Sequence, residues 1–352
     1  MKDRNVSGFS LVELLVAVAL LVGVFAIIFP QYISLTRHSA VTRKMIKTQA
    51  DAYNNLEQMF KDIASAGFGL PAVSDNLPSG ATSCLRTADK AIEIKADNNG
   101  SVSIIIRSTA AGDKKEVGAW GVVSIDSNSN VTLSYSSMVF KDDYLMILDT
   151  ASEKFKKLGL LKFDANSRLS LVEQYSDLQT LNGKIAYWIP DKDKVCYTTR
   201  FYLADYGSND PKPDICAPNG KKLMRSKDPP DGPSGSAPIM DCVHDQGLAF
   251  LIGCVGSTSG IEWLDPTKGS CPSSMIPRLV RVGVVVQAGP REKDKISPES
   301  LILFSGIVDG SGSSLSKDIK LSDENENNDK RYYRWITLEK TIFLVNLEKS
   351  EE

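Results

Sequence analysis

Glu13 is the one charge in an otherwise apolar run over residues 9–29, FSLVELLVAVALLVGVFAIIF. A carboxylate at the centre of a bilayer costs on the order of 3 kcal/mol on insertion scales, so a residue of this kind is expected to have a partner or a task. The chain's other reactive side chains are six cysteines, Cys84, Cys196, Cys216, Cys242, Cys254 and Cys271, all beyond that run. No two stand at C-x-x-C spacing and only two histidines, His38 and His244, occur. A zinc site is therefore poorly supplied, with a Cys-only site as the alternative. Disulfides in an oxidising compartment are expected ahead of free structural thiols, with connectivity left open.

Other constellations fall short of a site. There is no G-x-x-x-x-G-K-[ST] phosphate loop, and the run 256–260 (GSTSG) resembles a nucleophile elbow with Thr258 at its centre. Asp126, Asn128 and Asn130 begin like a calcium loop, but Ser137 stands where the bidentate glutamate belongs. Asp191, Asp193 and Asp309 read as solvated turns before calcium ligands. His244 lies between Asp241 and Asp245 near Cys242, a spacing that specifies no nucleophile pair. Lys330, Arg331 and Arg334 with Tyr332, Tyr333 and Trp335 form a small basic-aromatic patch at the edge of a strand. With 41 Lys+Arg against 43 Asp+Glu, no global field argues for nucleic acid. No catalytic residue, metal, cofactor or nucleic-acid partner is expected.

The elements that must position these groups follow from hydrophobic period. Run 9–29 is long enough, at about 1.5 Å per residue, to cross a hydrocarbon core of about 30 Å. Three readings compete for it. A secretory signal peptide fits badly, because Phe29, Pro30, Gln31, Tyr32 and Ile33 supply no small-x-small cleavage site. A plain signal anchor leaves Glu13 unexplained. The third reading places processing before the run, between Gly8 and Phe9. Arg37, Arg43, Lys44 and Lys47 behind the run, against Lys2 and Arg4 before it, would by themselves put the C-terminal side in the cytoplasm.

After Pro30 a helical pattern resumes to about Ala66, with Met45, Gln49, Ala52, Leu56, Met59 and Ile63 at three- and four-residue steps. Gly67, Gly69 and Pro71 supply the stop. His38 in the basic stretch reads as part of a solvated helix face. The head, 72–352, turns to period two. Strands are expected at 91–96, 102–107, 121–125, 131–135, 144–149, 195–204, 246–253, 279–288 and 335–347. One long helix followed by many strands predicts an α+β fold with a mainly antiparallel sheet. The segment 211–238, rich in Pro, Gly and Ser, is expected as a long surface loop stapled by Cys196, Cys216 and Cys242.

Gly8, Phe9, Ser10, Leu11, Val12, Glu13, Leu14, Leu15, Val16 and Ala17 resemble the class III leader of type IV prepilins. The resemblance implies leader removal after Gly8 by a prepilin peptidase, N-methylation of Phe9, and pairing of Glu13 with a neighbouring subunit's amine during assembly. Two charges costly alone in lipid become tolerable when joined. Pro30 falls where the family often carries a proline, a helix break. It implies a pilin-like fold and a single pass through the inner membrane via residues 9–29, with the head in the periplasm until the subunit enters the pilus fibre. This orientation opposes the charge count. More loosely, runs 59–68 (MFKDIASAGF), 141–145 (KDDYL), 278–286 (RLVRVGVVV) and 331–337 (RYYRWIT) are similar to minor pilins of the PilW type. The partners so implied are other minor and major pilins, the pilus inner-membrane platform and a large tip adhesin. Pseudopilins of type II secretion share the same N-terminus, and a signal-anchored extracytoplasmic binding module or enzyme is the alternative of another class.

Overall fold

The computed structural model describes residues 11–70, 84, 91–96, 101–110, 120–125, 131–134, 144–148, 158–163, 169–171, 178–189, 195–207, 210–228, 235–256, 260–272, 274–323, 325 and 328–347. The chain divides into two compact units, Met1–Asp51 and Ala52–Glu352.

Helix α1 spans Leu11–Ala64. The expected break at Pro30 is not seen, because the helix runs through it. A proline removes one i→i−4 bond and crowds one carbonyl, and the apolar residues on either side keep their own ladders. Beyond Ala64 the chain turns through residues 65–69, with Gly67 and Gly69 both at positive φ. A Cβ on Gly69 would meet Thr109 Oγ1 at 2.2 Å, so this stop needs glycine for space as well as for backbone.

The second unit is built on an antiparallel sheet of eight strands. They are β1 (Ile92–Ala96), β2 (Val102–Ser108), β9 (Tyr197–Ala204), β10 (Lys221–Asp228), β11 (Ser236–Val255), β13 (Ile276–Gln287) and β16 (Trp335–Phe343) in that spatial order, with β12 (Ile261–Leu264) paired to the end of β11. A second antiparallel sheet has the order β4-β3-β8-β5-β6-β7, from Val131–Ser134, Trp120–Ile125, Ile185–Ile189, Tyr144–Leu148, Leu158–Phe163 and Leu169–Leu171. A ribbon of β14 (Ser300–Leu303) and β15 (Lys317–Lys320) completes the described strands. The architecture is α+β and mainly antiparallel, as expected.

The segment 211–238 is not the long loop predicted. Strand β10 and the start of β11 lie inside it, at the centre of the main sheet. Its charges hid the strand: Lys222, Arg225 and Lys227 are buried, and a strand with charges inside does not show apolar alternation.

The last turns of α1 cross this sheet. Lys340 on β16 pairs with Glu57 at 3.3 Å, Arg225 on β10 pairs with Asp62 at 2.6 Å, and Gly67 N donates to Arg107 O on β2 at 3.0 Å. Ala52, Leu56, Met59 and Ile63, the stripe read from the sequence, are buried. The other face of the sheet carries a second core, in which Phe304 and Leu303 lie over Gly283, with Val285, Leu251, Ala249 and Trp335 around them. Leu70, Met146, Ile189, Val195 and the Cys84–Cys196 bridge pack into one cluster that ties the smaller sheet to the larger.

Candidate functional site

The N-terminal site begins with backbone. Glu13 lies on α1, two residues beyond Leu11, the first described residue of the helix. Gly8 and Phe9 lie outside the described residues, as does the side chain of Glu13. Within α1, Leu14–Ile33 is long and apolar enough to cross a membrane, and none of it is buried within the chain. Leu11, Leu15, Leu20, Phe25 and Ile27 are all exposed by more than half. Side chains of this kind need lipid or other helices around them.

In the head all six cysteines are paired: Cys84–Cys196, Cys216–Cys242 and Cys254–Cys271. The expected staple of the 211–238 segment is present in part. Cys216 and Cys242 hold it, while Cys196 pairs elsewhere. Around Cys242 the chain is tightly organised. Tyr206 Oη accepts from Cys242 N at 3.0 Å and donates to Asp241 at 3.2 Å. Burial, with Asp241 beside it, pushes the Tyr206 hydroxyl up to about 12. Gln287 accepts from Ala217 N at 2.7 Å and donates to Ile215 O at 2.6 Å, so a β13 side chain fixes the 211–220 turn. Lys222 pairs with Asp210.

His244 sits where β11 bulges, between the paired residues Val243 and Leu248. The ring is 2% exposed and edge-on to Trp335 at 5.2 Å. Its Nδ1 lies 2.8 Å from Asp245, and Lys330 Nζ lies 3.1 Å from Nε2 and 2.8 Å from Asp245. Gln246 N also lies 3.2 Å from Nδ1, so both ring nitrogens have polar neighbours. Burial pushes the imidazole below its ordinary value, and Lys330 adds to that. The Asp245 carboxyl is held well below the usual range by its bonds to His244 and Lys330, against its own burial. Gly247 is required in the bulge, because a Cβ there would stand 2.8 Å from His244 Cβ and from Val285 O. The arrangement has an acid, an imidazole and an amine in contact, yet all three are mutually occupied and the ring is shut from solvent. It holds β11 to the start of β16.

The basic-aromatic patch is likewise engaged. Arg331 is bonded to Asp329, and Tyr332 lies under Arg291 at 4.5 Å. Asp309 caps its own turn, accepting from Ser311 N and Ser313 N, both at 2.9 Å. Asp126, Asn128, Asn130, Asp191 and Asp193 lie outside the described residues. Among the described residues there is no cluster of three potential metal ligands. Sequence reasoning missed the Asp62–Arg225 pair, whose partners are 163 residues apart.

Residues 3–29 match the family described as the prokaryotic N-terminal methylation motif. No curated protein matches the chain. The motif supports a type IV pilin- or pseudopilin-like protein, and with the apolar helix behind it fits membrane anchoring.

Proposed function

We propose that this chain is a minor pilin of a type IV pilus. Prepilin peptidase cuts after Gly8 and Phe9 becomes the methylated N-terminus. Glu13 docks against the amine of a neighbouring subunit, and residues 9–29 pass from lipid into the bundle of helices at the filament core. The head sits in the periplasm during assembly and afterwards at or near the pilus tip, in contact with other minor pilins, major pilins and a tip adhesin. It works by assembly, not catalysis.

The observation that carries this reading is the methylation motif, residues 3–29, running directly into an apolar helix whose side chains have no cover within the chain. A head of this size, with an elaborated sheet and three bridges, supports a specialised subunit over a bulk one. The test is mass spectrometry of the N-terminal peptide from membrane and sheared-filament fractions. A peptide beginning at Phe9 with one added methyl group, present in the sheared fraction, is the expected result. A processed peptide confined to membranes, with protein export lost on gene deletion, would point to a secretion pseudopilin. An intact Met1 in cells that process other prepilins would remove the reading and leave a membrane-anchored binding module.

A further inference from the structure

Beyond its span α1 continues without interruption through a stretch of one charge sign. Leu14–Ile33 is the part long and apolar enough to cross a membrane, and the helix runs on to Ala64. Arg37, Arg43, Lys44 and Lys47 follow the span, and no acidic residue occurs between Glu13 and Asp51. Because the helix is continuous, each of these residues stands at a set height above the end of the span. At about 1.5 Å per residue, Arg37 is about 6 Å out, Arg43 and Lys44 about 15 and 17 Å, and Lys47 about 21 Å. Tyr32, 64% exposed, lies at the end of the span, where amphipathic rings settle at headgroup level. Arg43 and Lys47, the two basic residues here whose side chains are described, are exposed, and among the described residues neither is ion-paired.

We propose that this stretch binds the headgroups of anionic phospholipids in the leaflet it emerges from. The headgroup layer is about 5–8 Å deep on each side of the hydrocarbon. Arg37 therefore stands within it. Arg43 and Lys44 stand about 7–12 Å above it, close to the Debye length of about 10 Å at 0.1 M salt. Lys47 lies beyond that range and adds least. Charge selects the lipid. With basic residues and no carboxylate along the stretch, a headgroup of net negative charge is favoured over zwitterionic phosphocholine, whose own ammonium the cations repel. An acidic protein segment would have to displace headgroups already at this level. The stretch meets lipid whichever leaflet it faces. The inference thus rests on Leu14–Ile33 crossing a bilayer, and not on pilus assembly or on the side the head occupies.

The test is native mass spectrometry of the full chain in non-ionic detergent, with phosphatidylglycerol and phosphatidylcholine of the same acyl chains at equal concentration. The parent should carry phosphatidylglycerol over phosphatidylcholine by at least about fivefold, the factor that one basic residue supplies near an anionic surface. Raising ammonium acetate from about 0.05 M to about 0.5 M should shrink that preference. Arg37→Gln with Arg43→Gln and Lys44→Gln should bring it close to one, whereas Lys47→Gln should lower it least. Glutamine has a helix propensity near that of Lys and Arg, so α1 is preserved. Arg37→Lys with Arg43→Lys should retain the preference, as should Lys2→Gln with Arg4→Gln at the other end of the span. Equal binding of the two lipids by the parent overturns the inference. So does a preference unchanged in the triple variant, unaffected by salt, or lost with Lys2 and Arg4 instead. Alkaline extraction from phosphatidylcholine vesicles tests the span on its own. Parent and triple variant should both stay with the vesicles, and release of the parent would remove the span and the inference with it.

Discussion

Asp62 and Arg225 meet where α1 crosses the middle strand of the main sheet, 2% and 8% exposed respectively. Burial pushes the Asp62 carboxyl up, while Arg225 and Gln58 pull it down through charge and hydrogen bonds. Removing one partner leaves the other buried and uncompensated. Arg225→Met is therefore expected to cost about 3–5 kcal/mol, whereas Arg225→Met combined with Asp62→Leu should recover most of the loss. Denaturant unfolding of the two variants against the parent checks this. His244 gives a different signature. Its imidazole is held below its unfolded value, so its contribution is complete above about pH 6.5 and shrinks as pH falls toward the folded value. Between pH 7 and 5 the parent should lose stability more steeply than His244→Gln, read from unfolding midpoints at each pH. The sequence exposed Glu13 and the cysteines because each is rare where it stands. It concealed the His244–Lys330 and Asp62–Arg225 contacts because only the fold brings residues so far apart together.

Strands with one buried face were legible. Residues 102–107 and 121–125 alternate, and the structure places β2 and β3 there. Where the alternation failed, so did the reading. The strand expected at 246–253 is present as the second half of β11, but its first half, ahead of the bulge after Val243 that shifts the inward face by an odd count, went unread. β10 was lost behind its buried charges, and β8 (IAYWI) behind a continuous apolar run too short to type. The bulge also offers a test of its own geometry. Gly247→Ala drives a methyl into His244 and the Val285 carbonyl, and an overpacking loss of about 1–3 kcal/mol is expected from thermal unfolding. The bridges act on elements too. Cys254–Cys271 closes a separation of 17 residues and Cys84–Cys196 one of 112. Loop-closure entropy then gives about 3 kcal/mol for the short loop and nearer 5 for the long one. Cys84→Ala with Cys196→Ala should lower the unfolding midpoint more than Cys254→Ala with Cys271→Ala.

For the molecule as a whole, the N-terminal helix decides where the chain can reside. Leu14–Ile33 exposes its full apolar surface, so the protein should stay with membranes through alkaline extraction. Under the pilin reading, Glu13→Ala should leave that membrane level unchanged and remove the subunit from sheared filaments. Equal incorporation of parent and variant would rule out the docking role. This end of the chain was legible because its signal is contiguous, a short motif in register with a run of one composition.

The crossing of α1 over the sheet also imposes an order on biosynthesis. Glu57 lies near the start of the head and its partner Lys340 near the end, and Asn346 reaches back to Ala64 O at 3.4 Å. The side of the helix that carries Glu57 and Phe60 therefore waits uncovered while the chain up to β15 is translated. A nascent chain interrupted before Trp335 would lack the Lys340 contact on that side of the helix while keeping those of β2 and β10. Proteolytic surveillance could thus recognise an unfinished chain by the same surface that, once β16 arrives, disappears.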